Sequence, residues 1–431
     1  MLTKKINKIF YNSLSNSAPN KIINSKIKII NKSIIFQNKK IYSYKNKIYI
    51  ISIGKASQSL LKGFLKFSNE IEDYLVVRHF VSKKIKFKKD NVVSSTHPLV
   101  SKKSYIAAKK LIKFLKNIPA KSDVIFLISG GGSAMLAHPV KGLNFNEKSK
   151  FINNLLHVGI GEREVNFFRK KLSSIKSSKT LSYLNNSNVL NIILSDERSN
   201  KIDAISSGIS IPQAQKIIDK KLLKKVTSQK FCSKKIRNFL IKNNKKEIKN
   251  NYTNKITSII IGDRFDLIKQ LEENFKNKLN AKKIMYYGHI FEKSFEIASN
   301  KILKVIKDFY NNGKSGLNVL IFTGEIPVKA NYNSMGGRNQ HLSAVFLSKI
   351  NHFKNFSFCC FSTDGCDYLK GVHGAFIDDG VVKNVVSKNI DYQNYIKSTN
   401  TYYLHKKTDS LIYGDYSDNN FSDFYIFSFI K

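Results

Sequence analysis

A short β-branched run that ends in Gly, Ser or Asp and then gives way to a helical pattern recurs six times along this chain. Residues 47–53 lead into Gly54-Lys55-Ala56 and a helical stretch carrying Leu60, Leu61, Phe64 and Leu65. Residues 123–128 lead into Ser129-Gly130-Gly131-Gly132-Ser133, and residues 189–194 end at Ser195-Asp196. Residues 257–261 end at Gly262-Asp263, 317–322 at Thr323-Gly324-Glu325, and 356–361 at Ser362-Thr363-Asp364-Gly365. Continuous apolar strands alternating with helices argue for parallel sheets covered on both faces. Ligands of such sheets bind at the carboxyl ends of the strands. All six ends here are small or polar, which suits a site, although strand ends are polar in inert proteins too.

A chain of 431 residues is too long for one ordinary hydrophobic core, so two domains are expected. No apolar run reaches the ~18 residues of a membrane span. The formal charge is extreme, with 74 Lys plus Arg against 30 Asp plus Glu. Clustered cations would point to nucleic acid. Here the lysines are spread along the whole chain, while Asn, Ile, Phe and Tyr are also abundant and Trp is absent. That slant crosses side-chain chemistry, so we read it as compositional drift and expect no specific nucleic-acid partner. Residues 213–255, dense in Lys and Asn, read as surface helices near a domain junction. Cys232, Cys359, Cys360 and Cys366 form no CxxC pair and no zinc spacing, and they suit a reducing cytoplasm. No acid precedes Glu70, as in some targeting peptides, yet Arg is missing from that stretch too. Ile6, Ile9, Phe10 and Leu14 there have the spacing of an ordinary first helix.

Several segments carry chemistry. The three glycines of 129–133 let backbone amides approach phosphate oxygens without Cβ interference, although no Walker Lys-Ser/Thr follows. Gly-rich loops also serve as plain tight turns. Lys55 stands at a helix start, where the dipole disfavours a cation unless an anion is bound or the chain extends into solvent. Gly336-Gly337-Arg338-Asn339-Gln340 opens an apolar helix, and Arg there can hold a carboxylate or phosphate bidentately. Asp196, Glu325, Asp364 and Asp367 stand at or just after strand ends, where Asp also caps turns routinely. Such carboxylates can hold Mg²⁺ with substrate phosphates or accept a hydroxyl proton. His97-Pro98 marks a turn.

Taken in order, these segments resemble the class II glycerate kinases, the glycerate 2-kinase family with a C-terminal MOFRL module. The matches are Gly54-Lys55-Ala56, His97-Pro98, 129–134, Asn166 with Arg169, Leu172, Ser173 and Lys176, Ser195-Asp196, Ser207-Gly208, Gly324-Glu325, 336–340 and 363–367. The resemblance implies an α/β fold: a Rossmann-like parallel-sheet domain over residues 1–250, then a smaller α/β domain over 251–431 containing the MOFRL module at about 316–425. It places the active site in the cleft.

It further implies ATP-dependent phosphorylation of D-glycerate to 2-phosphoglycerate with Mg²⁺. Lys55, Arg338, Asp196 and Asp364 are then catalytic, the two acids also holding the metal. Ser129, Gly130, Gly131, Gly132, Ser133, Gly336, Gly337 and Asn339 contact the nucleotide. The expected partner is a small hydroxy acid, with no membrane, and the chain is a monomer or homodimer. The pattern departs at Glu197, Ser199 and Asn200, at Ile209-Ser210, at Tyr332, Ser334 and His341, and at Tyr368-Leu369-Lys370-Gly371. A different hydroxy or sugar acid, or a catalytically impaired basic binding protein, therefore stays open. A hydroxypyruvate reductase fits less well, because no GxGxxG fingerprint follows a strand.

Overall fold

The computed structural model describes residues 2–431 apart from 83, 84, 86–90, 159, 197–200, 215, 246, 248–251, 293, 332, 351 and 352. Glu197, Ser199, Asn200 and Tyr332 thus lie outside the described residues. The chain divides into two compact units, one of Met1–Ala18 with Arg264–Lys431 and one of Pro19–Asp263. This differs from a division into 1–250 and 251–431, because the first helix groups with the C-terminal part.

The reason is packing. Helix α1 (Leu2–Asn16) buries Ile6, Ile9, Phe10 and Leu14, the positions its periodicity marks. Phe10 stacks on Phe361 with ring centroids 3.8 Å apart. Asn274 donates to Ser13 at 2.9 Å. Each fully buried large apolar side chain of this kind stabilises by about 1.5–3 kcal/mol.

The unit Pro19–Asp263 opens with α2 (Pro19–Lys26) and an antiparallel meander, β1 (Ile27–Ile30), β2 (Ser33–Phe36) and β3 (Lys39–Ser43). Among its described residues, six parallel strands then form one sheet. They are β4 (Ile48–Ile53), β5 (Ile71–His79), β6 (Val92–Ser95), β7 (Asp123–Ile128), β8 (Asn188–Leu194) and β9 (Ile256–Gly262), in the order β6-β5-β4-β7-β8-β9. Helices α3 (Ser57–Phe64), α4 (Lys102–Asn117), α5 (Gly132–Met135), α6 (Phe145–His157), α7 (Glu162–Lys171), α8 (Lys220–Thr227) and α9 (Lys234–Lys242) follow in the chain. Strand β7 is buried at every position, as its unbroken apolar run requires. The last two helices fall in the Lys- and Asn-rich stretch and bury Val226, Ile236 and Leu240 beneath their exposed lysines.

The other unit contains α10 (Arg264–Leu279), β10 (Lys283–Ile290), α11 (Phe295–Asn311), β11 (Leu317–Gly324), α12 (Arg338–Leu347) and β12 (Phe356–Ser362). A short hairpin of β13 (Cys366–Asp367) and β14 (Leu369–Lys370) precedes β15 (Val372–Asp378), α13 (Asp379–Ser387), α14 (Tyr392–Lys397), α15 (Thr401–Lys407), β16 (Leu411–Tyr413) and β17 (Asp423–Ile430). Its sheet runs β10-β11-β17-β12-β15-β16. The sheet is mixed rather than parallel: β10 and β11 pair parallel, whereas β17 runs antiparallel between β11 and β12. An unbroken apolar strand reports burial on both faces, not direction. Strand β12 shows this, with Phe361 against α1 and Phe358 against Phe346 of α12 at 4.3 Å.

The four cysteines are free thiols, with Cys232, Cys359 and Cys360 buried. Among the described residues no helix is long and apolar enough to cross a membrane.

Candidate functional site

Strands β4 and β7 are in register with Ile53 opposite Ile128, so their following turns emerge side by side at the carboxyl edge of the parallel sheet. The two turns interlock through the main chain. Ser129 N donates to Ile53 O at 2.9 Å, and Lys55 N donates to Gly130 O at 2.9 Å. Ala56 N donates to Ser129 Oγ at 3.0 Å. The fit demands glycine at position 54, where φ is +113° and a Cβ would stand 2.3 Å from Ser129 Oγ.

Ser129 and Gly130 are therefore consumed inside the interlock and are buried. What faces outward is Gly131, half-buried with φ +87°, crossed by two side chains. A Cβ there would lie 3.1 Å from Lys55 Cγ and 3.3 Å from His97 Cδ2. The His97-Pro98 peptide is cis, within the turn its sequence marks.

Behind this loop, Gly132 packs so closely on Ser206 that a Cβ would meet its Oγ at 2.2 Å. Ser206, Ser207 and Gly208 are all left-handed, with φ of 50°, 57° and 60°. This bend brings Ser207 Oγ to 2.7 Å from Ser133 Oγ. Ser207 Oγ also donates to Asn166 Oδ1 at 3.2 Å, which accepts from Arg169 Nη1 at 3.2 Å. The separate sequence motifs at 129–134, 166–176 and 207–208 thus converge. Asp196 lies two residues beyond β8 and is half-buried.

In the other unit, Arg338 is the first residue of α12. Its Nε and Nη2 donate to the two carboxylate oxygens of Asp423, the latter at 3.2 Å, and Nη1 donates to Glu325 at 3.3 Å. Three of the guanidinium's five N–H groups are so engaged. Asp423 is buried, and it opens the central strand β17 opposite Gly324 on one side and Ser362 on the other. Burial pushes its carboxyl up, and the Arg338 charge opposes that shift. Asp423 has no motif around it in the sequence. Its signal is a lone acid heading an aromatic-rich strand.

The start of α12 is held by Asp367. Its carboxylate accepts from Asn339 N at 3.1 Å and Gln340 N at 2.9 Å, and from both side-chain amides. Gly337 makes room for it, since a Cβ would sit 2.2 Å from Asp367 Cγ. Gly336 packs on α15, where a Cβ would meet Thr401 Oγ1 at 2.4 Å. Gly336, Gly337 and Asn339, expected at a nucleotide, are thus engaged within their own unit, and Asn339 is fully buried.

Asp364 accepts from Ser362 Oγ at 2.8 Å and Cys366 N at 3.0 Å, which fixes it in a turn. His341 is buried against Phe295, and burial lowers its pKa to about 4. Ser334 bonds within its own turn to Asn331 O at 2.8 Å. Tyr368 stands exposed at the hairpin tip beside Asp367, and Gly371 has φ +83°. Among the described residues no three His, Cys, Asp or Glu side chains gather as a metal-ligand group.

Residues 5–241 match the family described as Domain of unknown function (DUF4147), and residues 318–423 match the MOFRL family. The glycerate 2-kinase of Sulfurisphaera tokodaii is 29% identical, over 88% of this chain and 88% of that protein. The D-glycerate 2-kinase of Thermotoga maritima is 24% identical, over 88% of this chain and 89% of that protein. The crystal structure of a glycerate kinase from Thermotoga maritima superposes with a TM-score of 0.80 at 21% identity, covering 100% of this chain and 99% of that one, which establishes the fold. Because the first match spans more than half of the chain, the protein belongs to the DUF4147 family, with a MOFRL domain at its C-terminal end.

Proposed function

We propose that this chain transfers a phosphoryl group from ATP to the 2-hydroxyl of D-glycerate, forming 2-phosphoglycerate. The observation that carries the reading is the interlocked pair of turns at the carboxyl edge of the parallel sheet, with Lys55 lying across Gly131. The names of the relatives that align over most of the chain supply the substrate class.

The reading of a polyphosphate at this loop is supported by the half-buried, left-handed Gly131, which lies against the Lys55 and His97 side chains. When bound, ATP supplies the transferred phosphoryl group and Mg²⁺ screens its oxygens. The hydroxyl oxygen of the acceptor forms a bond to that phosphorus as the bond to ADP breaks. Lys55 offsets the charge on the phosphoryl oxygens. Arg338, held by Asp423, presents its two remaining N–H groups to the acceptor's carboxylate. Asp196 and Asp364 are the carboxylates for the metal and the hydroxyl proton. Mg²⁺ needs only one or two carboxylates beside substrate phosphates, so the reading does not require a larger ligand cluster.

The test is a thermal-shift series with ATP, ADP, NADH and Mg²⁺, since a ligand of the native state raises its stability. ATP with Mg²⁺ and ADP should raise the melting temperature. A shift with NADH and none with nucleotides would replace the kinase with a reductase.

A further inference from the structure

Lys176 has no part in the reaction just described, yet its position is costly. Its side chain is fully buried, and its Nζ has no hydrogen-bond partner among the described residues. The groups acting on it are also cations: Lys148 of α6, and Arg169 and Lys170 of α7. Lys148 is buried as well and donates to His138 O at 2.8 Å. Lys179 donates to Lys170 O at 3.0 Å and Ser173 O at 2.5 Å. The His138 ring bonds to Ser174 Oγ at 2.7 Å. At the edge, Asp203 approaches Lys170 at 3.9 Å but is 47% exposed.

Among the described residues, the charged groups acting on Lys176 are Lys148, Arg169 and Lys170, with no carboxylate beside them. A buried charge without a partner is strongly disfavoured, and an apolar side chain of similar volume would serve packing better. Burial and the neighbouring cations accordingly press Lys176 well below the usual lysine range, Lys148 to about 7 and Lys179 to about 8. They lower His138 too. The cluster also has an address. Arg169 joins it to the glycine loop through Asn166, Ser207 and Ser133.

We propose that Lys176, with Lys148, Arg169 and Lys179, forms a buried counter-charge for the diphosphate of a nucleotide bound at the glycine-rich loop. This rests on the reading that phosphates lie at the glycine-rich loop beside Gly131 and Ser133. Lys176 acts through its field and not by contact, so it is a positioning residue. A bound polyphosphate favours the protonated amines, and nucleotide binding therefore takes up protons from solution.

The experiment is calorimetric titration of the full chain with ADP at about pH 8.5, where phosphate protons are already gone, in two buffers of different ionisation heat. Wild type and Lys176→Met, which keeps the volume and removes the charge, are compared. The wild type should take up protons. Lys176→Met should bind ADP about ten- to a hundredfold more weakly, take up fewer protons, and melt no lower without ligand. An affinity within about twofold of wild type with unchanged uptake overturns the inference while the loop reading stands. If the variant does not fold, zero proton uptake by the wild type overturns it equally. Should the wild type ignore ADP, inorganic phosphate is titrated instead. Proton-linked phosphate binding then supports the cationic site and removes the nucleotide, whereas no binding of either overturns both readings.

Discussion

Replacing Arg338 by Ala leaves Asp423, a carboxylate whose side chain is 1% exposed, without its bidentate partner. A buried carboxylate in that position takes up a proton rather than stay charged. Against an unfolded carboxyl near the ordinary aspartate value of 3.8, holding that proton at about pH 7.5 costs 1.36 kcal/mol for each of about 3.7 pH units, or about 5 kcal/mol. At about pH 5.5 the same arithmetic gives about 2.3 kcal/mol. The sign follows from the direction of the shift. The folded variant binds more protons than the unfolded chain between the two pKa values, so its stability falls as pH rises. Burial raises Asp423 in the wild type too, so Arg338→Ala should lose more stability than wild type on moving from about pH 5.5 to 7.5, by at most about 2.7 kcal/mol.

Urea unfolding followed by circular dichroism at the two pH values measures this difference. The double variant Arg338→Ala with Asp423→Asn loses the same side-chain packing but carries no buried acid, and should lack the pH dependence that this carboxyl contributes. Equal destabilisation of Arg338→Ala at both pH values would refute the reasoning, because Asp423 would then be solvated without its partner.

Three further outcomes follow from the geometry. Gly337→Ala drives a Cβ into the Asp367 carboxylate and should cost more than about 2 kcal/mol by breaking the cap of α12, read as a lowered urea midpoint. Gly131→Ala should cost only about 1–3 kcal/mol of stability for its left-handed backbone, yet lower kcat/KM by more than about tenfold by displacing Lys55. Asn200→Asp restores the acid of the family pattern, and should lower the Mg²⁺ concentration needed for half-maximal turnover in a metal titration; identical curves place position 200 outside the metal's reach.

The interlocked turns of the candidate site are legible before folding because their parts are local. Gly54, Lys55 and the 129–133 glycines sit where an apolar strand must turn, and a turn's chemistry is written in neighbouring residues. Asp423 was not legible for the opposite reason. It reaches Arg338 across 85 residues of chain, through an antiparallel pairing that periodicity does not encode. The same blindness to direction made the second sheet read as parallel, since β12 is apolar throughout whichever way its neighbours run. Nor does the amphipathic pattern of α1 say which core receives Phe10; only the stacking on Phe361 does. Gly336 and Gly337 look like ligand glycines by sequence, but their missing side chains make room for Thr401 and Asp367. Close approach to protein and close approach to a phosphate leave the same mark on a sequence.

The central claim is that Lys55, set over Gly131 by the interlocked turns, serves phosphoryl transfer from ATP to D-glycerate. Its most direct test is the rate of ADP release with ATP, Mg²⁺ and D-glycerate for wild type and Lys55→Ala, with the product resolved by phosphorus NMR. The account predicts 2-phosphoglycerate from the wild type, and a kcat lower by at least about a hundredfold in Lys55→Ala with an unchanged melting temperature. Wild-type turnover in Lys55→Ala, or no turnover of D-glycerate by the wild type at any Mg²⁺ concentration, would contradict it.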